Sequence, residues 1–131
     1  MKRTLLIIAG FIIAGGAALW GGPAYAHHSW SSEYVENETV SIEGQLMEVQ
    51  LRNPHSIMTI LVKDDRGRVQ THTAEWIGTG RLERDGIARD KFKVGDYLIL
   101  SGSPGRRAED RKLHLKGIHR PADGWRWGRT S

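Results

Sequence analysis

The chain has 131 residues, no cysteine and a formal charge of +4. These features exclude disulfide scaffolds, thiolate nucleophiles, iron–sulfur clusters, c-type haem attachment and cysteine-held zinc. The positive balance is too weak for a nucleic-acid binder, whose affinity rests on concentrated cations that displace phosphate counterions, so any metal must be held by histidine, carboxylate, backbone or a free N-terminus.

Lys2 and Arg3 precede an apolar run from Leu5 to Trp20, and Gly21-Gly22-Pro23 ends any helix there. Ala24-Tyr25-Ala26 then places small residues at the two positions a signal peptidase inspects. Residues 1–26 are therefore expected to be a signal peptide cut after Ala26, which delivers the product to the periplasm with no stable membrane insertion and no nucleic-acid partner. The apolar run, roughly 16 residues, is also near the lower limit for a membrane anchor. A Gly-Pro break followed by A-x-A is nevertheless a processing signature more than a stop-transfer one. Cleavage would leave 105 residues, the size of one small domain, and would lower the charge from +4 to +2, because the leader holds two cations and no acid.

Residues 27–39 carry Trp30 and Tyr34. Large aromatics so close to a terminus imply that the segment docks on the domain that follows instead of trailing in solvent. From Val40 the pattern is β. Val40, Ile42, Gly44 and Leu46 share one parity and Met47, Val49 and Leu51 the other, so a bulge or sharp coil is expected between Leu46 and Met47. Met58, Ile60 and Val62 alternate in a second strand, and Asp64-Asp65-Arg66-Gly67 turns it into a third that runs to about Trp76. Thr79 is expected to cap a short helix that Gly86 ends, with Leu82 pointing inward. Val94-Gly95-Asp96 leads into a fourth strand, Tyr97 to Gly102, and a fifth lies around Leu113, Leu115 and Ile118.

Three strands, a short helix and two more strands is the order of an OB-fold, so the expected architecture is an all-β, five-stranded Greek-key barrel over residues 40–120. A long, coiled first strand fits that barrel because it serves both sides of the closure. An open β-sandwich of similar strand count is the competing architecture. Residues 121–131, with Trp125 and Trp127 beside arginines, have no assignable period and read as a flexible tail suited to contact with a partner protein or membrane surface.

The six histidines concentrate the chemistry. A cut after Ala26 would give His27 a free α-amine beside its imidazole Nδ1, which together chelate a metal in one ring. The amine pKa, near 8, lets it deprotonate onto a metal at neutral pH. One more imidazole completes three nitrogens in a tetragonal arrangement that favours Cu(II). Candidates for that donor are His28, His55, His72 and His114, and a cut one residue earlier would put a histidine third, which also binds Cu(II). The plain alternative is that His27 and His28 are unstructured leader residues.

His55 follows Arg52-Asn53-Pro54 at the turn between the first two strands, where Pro fixes the chain and where an OB-fold borders its usual ligand face. It is either placed by that turn for function or simply its exposed neighbour. His72 reads as a packed or solvated strand residue, His114 as an outer-face residue and His119 as a loop residue. There is no serine in a nucleophile-elbow sequence and no carboxylate pair of defensible spacing. Gly78-Thr79-Gly80 lacks the lysine and length of a phosphate loop. An enzymatic role is therefore disfavoured.

His27-His28-Ser29-Trp30 after a leader, Asn53-Pro54-His55, the Trp76 to Leu82 segment ending in Gly86, Gly95-Asp96 before a strand and the Ser101-Gly102 turn together resemble a bacterial family, the domain-of-unknown-function family 6152. The resemblance covers the chain to about Ile118 and leaves the tail from Pro121 outside. It implies an exported single-domain OB-like β protein with His27, His28 and His55 as motif positions, and it supplies no substrate. Two readings follow. In the first, the protein binds a metal, copper, through His27, His28 and His55. In the second it is a metal-free binding module or accessory subunit for a periplasmic partner protein or small ligand.

Overall fold

The computed structural model describes residues 29–130. The expected signal peptide, His27 and His28 lie outside them. A four-residue helix, α1 (Trp30–Glu33), leads into β1 (Val40–Gln50), β2 (His55–Lys63) and β3 (Val69–Ile77). After these come α2 (Thr79–Arg84), β4 (Tyr97–Pro104), β5 (Lys112–Arg120) and β6 (Trp125–Gly128). Among the described residues no helix is long and apolar enough to cross a membrane.

The strands pair in the order β3-β2-β1-β4-β5-β6, and a parallel pairing of β3 with β5 closes the first five into a barrel. The expected barrel is thus the fold, with α2 between β3 and β4, and closure excludes the open sandwich.

β1 earns its length by pairing with β2 along one part and β4 along another, Gly44 lying opposite both Val62 and Leu98. A Cβ at Gly44 would fall 1.9 Å from the Leu61 carbonyl oxygen, so only glycine admits two partner strands there. The register shifts between Leu46 and Glu48, which ejects Met47 as the bulged residue and swaps the inward parity. The change of alternation read from the sequence marks this bulge. Leu46 is buried before it, and Val49 and Leu51 pack against the core after it.

The core is the inward set of all five strands: Leu46, Met58, Ile60, Trp76, Leu98, Leu100, Leu113 and Ile118 are essentially solvent-free. Leu82 of α2 and Phe92 cover one end.

Three local expectations are corrected. Thr79 is the first residue of α2 and not its cap; Gly78 takes that place without a side-chain hydrogen bond. A Cβ at Gly78 would lie 2.5 Å from both Asn53 Oδ1 and the Pro54 carbonyl oxygen, so only glycine fits this close approach to the Asn53-Pro54 turn. His119 lies within β5, paired with Ile99 and Arg126.

The tail is not a loose segment, because Trp125–Gly128 forms β6 on β5. Trp127 meets Trp76 edge-on at 5.0 Å between centroids and its Nε1 donates to Asp85 Oδ2 at 3.1 Å. Trp125 meets Phe92 at 5.4 Å, and Arg120 donates to Asp123, Asp96 and the Lys91 carbonyl beneath it. The strand escaped sequence reading because its four residues, which follow Gly124 (φ +73°) and end on Gly128 (φ +67°), are too few to show a period.

Candidate functional site

Local hydrogen bonds hold His55 at the start of β2. The Asn53–Pro54 peptide is cis. Ser56, fully buried, accepts from Arg52 N–H and donates to Arg52 O, both at 3.3 Å, while Arg52 Nε donates to His55 O at 3.2 Å. Strand alternation sends the His55 side chain to the outer face of the barrel, opposite in sense to buried Met58 and Ile60.

The β3–β5 closure brings two further residues to that outer face, because Glu75 lies directly opposite His114 in the parallel register. The His55 Nδ1 is 3.6 Å from Glu75 Oε2. His114 Nδ1 donates to Glu36 Oε1 at 2.7 Å.

The N-terminal segment covers this group. Trp30 inserts its indole between the two imidazoles, with centroids 4.1 Å from His55 and 3.7 Å from His114, the latter pair nearly parallel at 3°. Tyr34, four residues on and 1% exposed, lies beneath, 5.6 Å from the indole. The segment is fastened along its length. Arg106 Nε donates to Ser31 O at 2.8 Å, Val35 N–H to Pro104 O at 2.9 Å, and Lys112 pairs with Glu33. Trp30 and Tyr34 lead one to expect that residues 27–39 dock on the barrel, and for the described part of that segment these contacts are its physical form.

The electrostatics follow from this burial. Burial first, then the Glu75 charge, pushes the Tyr34 hydroxyl well above its ordinary value, and the hydroxyl has no hydrogen-bond partner of normal geometry. Burial also opposes ionisation of Glu36, but hydrogen bonds from His114 and Lys116 prevail and hold its carboxyl below the usual range.

A profile described as "Family of unknown function (DUF6152)" matches residues 17–114. The chain belongs to this family. The matched span takes in the whole of this site, from Trp30 through His55 and Glu75 to His114, and stops short of β6. A comparison with curated proteins gives no match.

Of the three expected metal ligands, His55 stands at this site and His27 and His28 lie outside the described residues. Among the described residues no three His, Asp or Glu side chains converge as a metal-holding group. His114 is an outer-face residue, as its parity indicates, and it stacks on the same indole that contacts His55. His72 faces a different cavity. Glu75 and Glu36 were not singled out from the sequence, since only the β3–β5 closure and the docking of α1 bring them to the histidines; Tyr34 is marked there only as a docking aromatic.

Proposed function

We propose that this DUF6152 protein is an exported, periplasmic metal-binding protein, for copper, that carries or buffers the ion. His27, made N-terminal by cleavage after Ala26, would chelate through its α-amine and Nδ1, with His55 or His28 completing the set. The supporting observation is the contact of Trp30 with His55 at 4.1 Å. His27 precedes Trp30 by three residues, a reach of roughly 10 Å, so a terminus created at His27 would need no more than that reach to meet His55. His55 is suited to the role: the Glu75 carboxylate lies 3.6 Å from its Nδ1 and would favour the proton on that side, which would leave Nε2 as the free donor, the arrangement metal-binding histidines use. Copper would supply nothing beyond its own coordination preference for nitrogen donors.

The decisive measurement is a Cu(II) titration of protein whose terminus at His27 has been verified by intact mass. A methionine added before His27, or His55→Ala, should weaken binding by at least about tenfold, on the scale of losing metal-site support. Unchanged affinity in both rejects the reading.

A second reading, a metal-free module for a partner protein or small ligand, is favoured by an open groove of about 530 Å³ bordered by β1, β2, the start of β3 and β4, with Leu61, Val69 and Tyr97 among its lining residues. Under it, partner capture survives chelators and is lost with Tyr97→Ala.

A further inference from the structure

At the β3–β5 seam a cavity of about 130 Å³ lies under the loop joining β4 to β5, with Val40, Ile42, Pro104 and Leu113 as apolar lining and His72 and Arg111 as polar lining. Arg107 and Lys112 also border it, but Asp110 and Glu33 hold them. His72, half-buried, and Arg111, exposed at the rim, are different: among the described residues neither side chain has a hydrogen-bond or ion-pair partner. Burial, and secondly the Arg111 charge, disfavour protonation of His72, so it is a neutral imidazole that can donate one N–H.

Arg111 is also the only non-glycine residue with positive φ among the described residues (φ 44°, ψ 48°). Its backbone is pinned there because Arg111 O accepts from Thr73 N–H at 3.0 Å and its own N–H donates to Ala108 O at 3.2 Å. Glycine would be at ease in this conformation and would fulfil both bonds. An arginine instead places an unpaired guanidinium beside an unpaired imidazole over an apolar floor. A left-handed non-glycine residue held by its surroundings is typical of ligand clamps.

We infer that this cavity is a binding site for a small aliphatic carboxylate, whose head group pairs with Arg111 and accepts the His72 N–H while its short chain lies on Val40, Ile42 and Leu113. The charge and fork geometry of a guanidinium match a carboxylate. The volume, about four times a water's share of liquid at about 30 Å³, admits a chain of two to four carbons. The site is separate from His55 and Trp30 and stands or falls without the copper reading.

The test is a heteronuclear NMR titration of the protein with butyrate, with butyramide as the neutral isostere. Butyrate should produce saturable shifts at the His72 ring and the Leu113 and Arg111 amides, in the low millimolar range or tighter, and butyramide should not. Arg111→Gly should retain the fold, with a melting temperature no lower than the parent's because it relaxes the left-handed backbone, yet weaken butyrate by at least about tenfold. His72→Ala should weaken it as well. Equal shifts with butyramide, undiminished binding by Arg111→Gly, or no saturation with butyrate would each overturn the assignment.

Discussion

Trp30 and His114 stack ring on ring, 3.7 Å between centroids and 3° from parallel, although 84 positions separate them. His114 is itself held by Glu36 at 2.7 Å, so the imidazole acts as a fixed platform and the indole as the lid upon it. Because the opposite face of that indole rests on His55, one aromatic ring couples the position of the N-terminal segment to the proposed metal donor.

Trp30→Ala is expected to release residues 29–36 without unfolding the barrel. Losing a half-buried indole between two rings should cost about 2 kcal/mol, or roughly 10 °C in a domain of this size. Differential scanning calorimetry gives the shift, and hydrogen exchange should show faster exchange at Val35 N–H, which now donates to Pro104 O. Trp30→Phe should retain most of both. A melting temperature unaffected by Trp30→Ala would mean that the segment is not held by this stack.

Gly44 and Gly80 offer a paired test of the barrel. Gly44→Ala places a methyl 1.9 Å from the Leu61 carbonyl, where neither β2 nor β4 can retreat without losing its ladder, and should cost more than about 3 kcal/mol in urea unfolding. A Cβ at Gly80 meets nothing within 4 Å, and the residue lies inside α2, so Gly80→Ala should stabilise by about 0.5–1 kcal/mol. Equal effects would contradict the placement of β1 between its two neighbours.

β1 shows how much of this architecture was legible. The alternation of Val40, Ile42 and Leu46 against Val49 and Leu51 is local, so the bulge at Met47 could be read directly. The Asn53-Pro54 turn and the left-handed Gly67 (φ +77°) were legible for the same reason. The site was not, because Glu75 and His114 meet only through the parallel β3–β5 pairing. No local period records a pairing between strands so far apart in the chain. His55 was found because a turn motif marks it, and Tyr34 because a large aromatic stands out near the terminus; Glu75 and Glu36 carry no such mark.

Acid should loosen β6 through Asp123. The Arg120 guanidinium, with help from the Trp125 N–H, pulls the Asp123 carboxyl down to about 2. A depressed folded-state value contributes stability that is fully present above the ordinary carboxylate range and is lost as pH falls from there toward about 2. Asp123→Asn should therefore be less stable than the parent near neutrality and converge with it near pH 2. Trp125 fluorescence against urea at both ends of that range reads the difference. A constant offset across the range would show that the Arg120 pair is not what lowers Asp123.

Glu75→Gln separates orientation of His55 from its mere presence. Glu75 Oε2 faces His55 Nδ1 at 3.6 Å and, being on the outer face, is not part of the core, so the amide should leave the unfolding free energy within about 1 kcal/mol of the parent's. Nitrogen-15 NMR of the histidine ring should find the parent protonated at Nδ1 with Nε2 bare, and Glu75→Gln shifted toward the other tautomer. If the metal reading is right, Cu(II) affinity of the His27-terminated protein should fall about 10- to 100-fold in the same variant. A changed tautomer with unchanged affinity would retain the role of Glu75 and remove His55 from the metal, while an unchanged tautomer would show that Glu75 does not set the free nitrogen at all.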